Sequence, residues 1–320
     1  MQSSAGAPDD SLNQRVSGTA GNPVRARVVA TFGRQSLVAT EAGQLLNAVR
    51  RGKRGDVVIG DRVLLAADQS EPAVIESIAP RTSLLYRADA TRAREMAANI
   101  DQLAVVFAPR PTYAETFIWR ALVAARCAGV DAIVILNKDE LVDENPQAEA
   151  TRALLASLSH PTLRVSAKLR PEATRALLLG ALHGRVTLLA GQSGMGKSTL
   201  LNLLVPHAAA RTQEYSTHLN LGKQTTTASR LFDLTEAEGG GAVVDSPGFQ
   251  AFGLSHLDPT EAAAAMPDFV PHLGRCRFRD CRHMQEPDCA IRAAVDAGAL
   301  LASRYAFYRE LVGDAAAESR

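Results

Sequence analysis

The sequence predicts three folded units in a row: a small N-terminal β-barrel of the OB type, a central α/β unit on a parallel sheet, and a mainly helical C-terminal unit that binds a metal. Three observations predict this. Short β-rich runs fill residues 24–87, apolar strand-like runs alternate with helical runs over 88–254, and three cysteines and a histidine cluster within 255–320.

The first 23 residues, MQSSAGAPDDSLNQRVSGTAGNP, are polar and rich in small residues, so they read as a flexible tail without the apolar centre of a signal peptide. No run approaches the length of a membrane span. An apolar content of 46% excludes a wholly disordered chain, and a net charge of +1 names no partner globally. Four cysteines are too few for a disulfide scaffold in 320 residues, so the expected setting is the cytoplasm.

In residues 24–87 the runs VRARVVATF, SLVAT, QLLNAV, VVIGDRVLLA and PAVIESI are separated by glycines and charges. Five short strands of this kind predict a small closed barrel. The segment carries ten basic and six acidic residues, and its RRGKR run puts Arg50, Arg51, Lys53 and Arg54 in a loop as candidate RNA contacts. Aromatic residues are few there (Phe32, Tyr86), so base stacking has little support.

From residue 100 the rhythm changes. DQLAVVFA, VDAIVILNK, TLRVSA, RVTLLAG and AVVDSPG read as strands, with TFIWRALVAARCAG and AEATRALLASLSH as helices between them. Near-continuous apolar strands separated by helices predict a parallel sheet covered on both faces. Beyond Asp258 the chain turns helical, and IRAAVDAGALLASRYAFYRELV reads as helix. Cys127 reads as a core residue, and His256 and His272 as solvent-facing.

The strongest local signal is Gly191-Gln192-Ser193-Gly194-Met195-Gly196-Lys197-Ser198, a complete G-x-x-x-x-G-K-[ST] after the strand ending at Ala190 and before a helix opening at Thr199. Its glycines let backbone N–H groups turn towards a diphosphate, Lys197 reaches the outer phosphates, and Ser198 ligates Mg²⁺. Asn137-Lys138-Asp139, at the end of the strand AIVIL, selects the base: a carboxylate at Asp139 accepts two hydrogen bonds from the guanine edge, which adenine does not offer. Ser166-Ala167-Lys168 follows another strand and can support the guanine carbonyl. Asp245-Ser-Pro-Gly248 ends the strand GAVV, with Asp245 towards Mg²⁺ and Gly248 N–H towards the γ-phosphate. Between these lies Gly222-Lys-Gln-Thr-Thr-Thr227, from which Thr226 or Thr227 reaches Mg²⁺.

The order of these motifs is itself informative. The base-reading loops at 137 and 166 precede the P-loop at 191, and the Mg²⁺ motif at 245 comes last, so the fold expected is a circularly permuted P-loop GTPase. A switch at 222–248 then stands directly before the C-terminal unit. There, Cys276-x4-Cys281-x-His283-x5-Cys289 offers three thiolates and an imidazole, a closed tetrahedral set that predicts one structural zinc.

With these motifs the chain resembles the small-ribosomal-subunit-dependent GTPase A family (RsgA, also called YjeQ), bacterial ribosome-assembly GTPases. The resemblance spans about residues 24–310 and includes the barrel, NKDE at 137–140, GQSGMGKST at 191–199, GKQTTT at 222–227, DSPGF at 245–249 and the Cys-Cys-His-Cys cluster followed by RYAFYRELV. It implies a guanine-nucleotide site that extends to Glu140, Ala190 and Thr199, an OB-fold touching 16S rRNA, and a zinc domain. It further implies a role in late maturation of the 30S subunit, with hydrolysis strongly stimulated by that subunit. A monomer is the expected state.

The family's switch motif usually carries histidine where this chain has Gln224, and Phe249 stands where Ras-like enzymes keep a water-orienting glutamine. Gln224, and less strongly Gln250, is therefore the candidate to orient water beside Lys197 and Gly248. The rival reading is an RNA-binding module whose GTP site only regulates affinity; an ATPase is disfavoured by Asp139.

Overall fold

The computed structural model describes residues 23–32, 35–50, 57–67, 71–88, 93–218, 229–246 and 251–318. Five strands form the barrel: β1 (Val24–Phe32), β2 (Gln35–Thr40), β3 (Leu45–Arg50), β4 (Arg62–Leu65) and β5 (Ala73–Ile78). They run in the order β1-β2-β3-β5-β4, and β4 pairs back onto β1 to close the ring. Alternating side chains, among them Val28, Val38, Val63, Leu65 and Ile75, fill the interior.

Strand β1 serves two sheets. Its first half, Val24 to Arg27, pairs with β4, whereas Ala30 and Thr31 pair with Arg230 and Ser229 of β12 (Ser229–Asp233). The register on β2 shifts between Val28 and Ala30, a bulge that bends the strand from one sheet to the other. The barrel is therefore continuous with the central sheet, in eleven strands.

The central strands are β8 (Gln102–Phe107), β9 (Asp131–Leu136), β10 (Thr162–Arg164), β11 (Val186–Ala190) and β13 (Ala242–Asp245). They lie in the order β10-β9-β8-β11-β13, all parallel, with β12 added antiparallel at the side of β13. Every residue of β8 is buried, as a strand covered on both faces requires. Helices α1 (Glu115–Cys127), α2 (Pro146–Ser157), α3 (Pro171–Leu182), α4 (Lys197–Leu204) and α5 (Ala208–His218) cover the sheet. Proline opens α2 and α3, where its missing N–H has no intrahelical partner to lose. At the far end of α1, Gly129 takes φ +66° and Val130 N–H donates to Ala125 O at 2.8 Å.

Between barrel and central sheet, β6 (Leu84–Ala88) and β7 (Ala93–Ala98) form a separate hairpin. It touches both neighbours: Ala97 bridges to Ile59 of the barrel, and Arg87 to Phe252 beyond the Asp245 motif. A Cβ on Gly60 would lie 2.1 Å from Ala98 O, so only glycine permits this approach.

The C-terminal unit contains α6 (Pro259–Ala264), α7 (Ala290–Asp296) and α8 (Ala302–Glu318). The single helix expected over IRAAVDAGALLASRYAFYRELV is in fact two. Gly298 adopts φ +71°, and Ala299 and Leu300 N–H both turn back to Ala294 O, so the chain reverses and buries Leu300. A second correction concerns Cys127. It is exposed, because it lies past the buried face of α1, at a cleft of about 470 Å³ also lined by Leu84, Tyr86 and Leu257. His256 is exposed and packs 4.3 Å from Tyr86, while His272 is half-buried rather than solvent-facing.

Arg304 of α8 fastens this unit to the central sheet's helices. Its side chain is 3% exposed, and its guanidinium pairs with Asp268 through two hydrogen bonds of 2.9 Å and lies 4.0 Å over the Trp119 ring of α1. Removing one partner of a buried pair leaves the other charge without compensation, a loss of about 3–5 kcal/mol. Arg304→Ala is accordingly expected to melt the C-terminal unit at a clearly lower temperature than the parent chain. An unchanged melting profile by circular dichroism would show that the clasp carries no weight.

Candidate functional site

The loops singled out from the sequence meet at the C-terminal edge of the parallel strands, where open α/β sheets bind ligands. Strand β11 ends at Ala190 and α4 starts at Lys197, so residues 191–196 form the intervening loop. Gly194 and Gly196 take φ of +78° and +93°. A Cβ on Gly191 would lie 2.3 Å from Val106 O, and one on Gly196 would lie 2.3 Å from Asn137 Nδ2. The spacing of glycines thus reflects close approaches to two neighbouring strand ends.

Asn137 is the hub. Its Nδ2 donates to Met195 O at 3.1 Å, and its Oδ1 accepts from Ala167 N–H at 3.2 Å, so one buried side chain joins three loops. Lys138, at φ +57°, reaches across the phosphate loop and donates to Gly194 O at 2.7 Å and Arg110 O at 2.8 Å. Glu140 accepts from Ser166 Oγ at 2.5 Å, and Leu169 N–H donates to the same hydroxyl at 3.1 Å. Lys168 is exposed. Gln192 Oε1 accepts from Ala114 N–H at 2.7 Å and ties the phosphate loop to the start of α1.

Lys197 folds back over its own loop, donating to Gln192 O at 3.0 Å and to Gly191 O. Burial pushes its pKa down, and nearby Asp245 pulls it up. The Asp245 carboxyl is pushed up by burial and held back by Lys197 and Arg230. Arg230 is the cross-strand partner of Asp245 in β12. Ser246, which follows Asp245, shares a 2.9 Å hydrogen bond with Ser229, the first residue of β12. Ser193 in the loop and Ser198 and Thr199 in the first turn of α4 are exposed.

Other expectations fall differently. Gln224, Thr226, Thr227, Gly248, Phe249 and Gln250 lie outside the described residues, as do Arg51, Lys53 and Arg54. Arg50 closes β3, opposite Ile75, rather than standing in a loop. Sequence reasoning missed a pair of groups on Asp139: Arg164 Nε donates to its Oδ1 and Arg170 Nη2 to its Oδ2. The available signal was two arginines flanking Ser166-Ala167-Lys168.

Cys276, Cys281, His283 and Cys289 come together, with all four ligand atoms within 4.8 Å of one another. Cys276 Sγ and Cys289 Sγ are 4.0 Å apart, and each is 3.5 Å from His283 Nδ1. A tetrahedral ion bound at about 2.3 Å from sulfur and 2.0–2.1 Å from nitrogen needs edges of this length, so the donors fit a metal ion. His283 at φ +60° turns its ring inward. Tyr305 and Tyr308 of α8 donate to His283 O and Arg282 O at 2.7 and 2.8 Å. Burial pushes the Glu286 carboxyl up, but N–H groups including Arg282, Met284 and Gln285 outweigh it and hold the pKa at about 2, so an ionised carboxylate braces the loop.

A sequence model of the RsgA GTPase family matches residues 78–255. The chain belongs to this family. It is a GTP hydrolase whose motifs stand in permuted order. Among curated proteins it is 45% identical over 291 residues to the small ribosomal subunit biogenesis GTPase RsgA of Paraburkholderia xenovorans, covering 90% of this chain and 92% of the relative. The protein of the same name from Bordetella pertussis is 42% identical over 296 residues, covering 92% and 98%. The crystal structure of YjeQ from Thermotoga maritima aligns with TM-score 0.66 at 28% identity, covering 92% of this chain and 98% of that one. YloQ, described as a circularly permuted GTPase, aligns with TM-score 0.63 over 93% and 96% at 23% identity, a likeness of fold.

Proposed function

We propose that this RsgA-family GTPase is a cytoplasmic, monomeric switch in assembly of the small ribosomal subunit. It binds the 30S particle and its 16S rRNA in late maturation and hydrolyses GTP in response. The observation that carries the nucleotide part is the Asn137 hub, which locks the phosphate loop, the base loop and the Ala167 loop into one crevice. In this reading Asp139 accepts the guanine edge, Ser166 to Lys168 support its carbonyl, and Lys197 with the N–H groups of 191–199 holds the phosphates. Ser198, Asp245 and a threonine of 226–227 hold Mg²⁺, which neutralises phosphate charge when bound. Gln224 orients water and Gly248 N–H meets the γ-phosphate. Zinc fills the Cys276-Cys281-His283-Cys289 set, since three thiolates and one imidazole suit it and leave no position open for chemistry.

RNA contact is supported by charge. Besides the 50–54 run, the metal loop exposes Arg275, Arg277, Arg279 and Arg282 around a 41% exposed Phe278. The ribosomal role draws its support from the names of the relatives. The test is GTP turnover with 30S, 50S and 70S particles. Stimulation confined to particles with a small subunit is expected; equal turnover with isolated 50S, or none with any, would overturn the reading.

A further inference from the structure

We infer that Arg164 and Arg170 are an internal competitor for the guanine base, occupying both oxygens of Asp139 and yielding them when nucleotide binds. The inference rests on the reading of Asp139 as the base acceptor. The two arginines come from different elements. Arg164 ends β10, and Arg170 stands at the start of α3, its own N–H bonded to Ser166 O at 2.9 Å. Each donates to a different carboxylate oxygen. The Asp139 side chain is 11% exposed, whereas those of Arg164 and Arg170 are 47% and 56% exposed. The carboxylate is thus held in place while either guanidinium can swing into water at low cost.

The chemistry matches closely. The guanine edge presents two coplanar N–H donors, N1–H and the exocyclic amine, which can take together the two oxygens that the arginines hold one each. Guanine therefore restores the two hydrogen bonds it displaces, and the net gain on binding is smaller than the carboxylate alone would yield. The consequence is weaker nucleotide affinity than an unoccupied carboxylate would give. The sign is diagnostic. Removing two positive charges beside an anionic nucleotide weakens binding by ordinary Coulomb attraction, whereas removing a competitor tightens it.

The experiment measures binding of a fluorescent N-methylanthraniloyl GDP to the full chain carrying Arg164→Gln, Arg170→Gln or both. The double variant is expected to bind about tenfold more tightly, the scale of two partly exposed ion pairs. In an Asp139→Asn background, where the carboxylate that the arginines occupy is gone, the same substitutions are expected to give no tightening of xanthosine diphosphate binding, only the slight weakening that follows from lost positive charge. Unchanged or weaker GDP binding in the double variant, with melting temperature intact, would overturn the competitor while leaving the base assignment standing. Retention of guanine over xanthine preference in Asp139→Asn alone would overturn the base assignment, and the competitor with it.

Discussion

Gly196→Ala is expected to lower guanine-nucleotide affinity by at least about a hundredfold, from two effects that add at one atom. The first is backbone strain: at φ +93° an alanine pays about 1–2 kcal/mol that glycine does not. The second is a collision, because the new Cβ would lie 2.3 Å from Asn137 Nδ2. Asn137 is 2% exposed and cannot move aside without giving up its bonds to Met195 O and Ala167 N–H. Each buried group left unpaired costs about 1–3 kcal/mol. The phosphate loop and both base loops are disturbed together, although the substitution touches only one. The barrel core of Val28, Val38 and Ile75 is remote from this contact, so its folding should survive. Titration with a fluorescent GDP analogue reads the result. Affinity within threefold of the parent would mean that the Asn137 junction does not organise the site.

Metal removal should have a comparably large effect on the C-terminal unit. Stripping the ion with a strong chelator, or replacing Cys289 by serine, is expected to unfold residues 270–300 and loosen α8. Structural zinc contributes about 10–16 kcal/mol of apparent binding free energy in small domains, far more than the short helices there can replace. Helix α7 is seven residues long, and the bonds that would remain to the loop before it are few, chiefly those of Glu286, the α8 tyrosines and the Arg277–Asp288 pair. Metal content by mass spectrometry should fall by one ion per chain, and a protease should cut within 270–300. GDP binding should persist, since the side-chain bonds described for the phosphate loop run to Asn137, Lys138 and Ala114 rather than to the cluster. A chain that keeps its protease resistance after complete loss of metal would refute a structural role.

Much of the candidate site is legible in the sequence because its chemistry is local. A phosphate loop needs glycines at particular steps, a base-reading loop needs a carboxylate after a buried strand, and a closed metal site needs soft donors close in sequence. Each requirement leaves a short signature, and the order of the signatures at 137, 166, 191 and 245 sufficed to recognise a permuted GTPase. The five barrel strands were equally readable, since half-burial imposes alternation. The single helix expected over 291–312 is broken because alanine-rich sequence favours helix on both sides of Gly298, and only the need to bury Leu300 selects a break there. Cys127 was misread because the periodicity of α1 does not show where its packing partners stop.

The sequence alone determined the inventory: the nucleotide motifs, their permuted order, the candidate metal ligands and the three-part organisation. Tertiary structure alone decided how the parts are joined. It put Ser229 and Arg230 against β1 of the barrel, made Asn137 common to three loops, laid Arg304 over Trp119 and brought Arg164 and Arg170 onto Asp139. The reason is range. A motif records constraints between residues a few positions apart, whereas Arg304 and Trp119, or Ser229 and Thr31, meet only because the chain between them has folded.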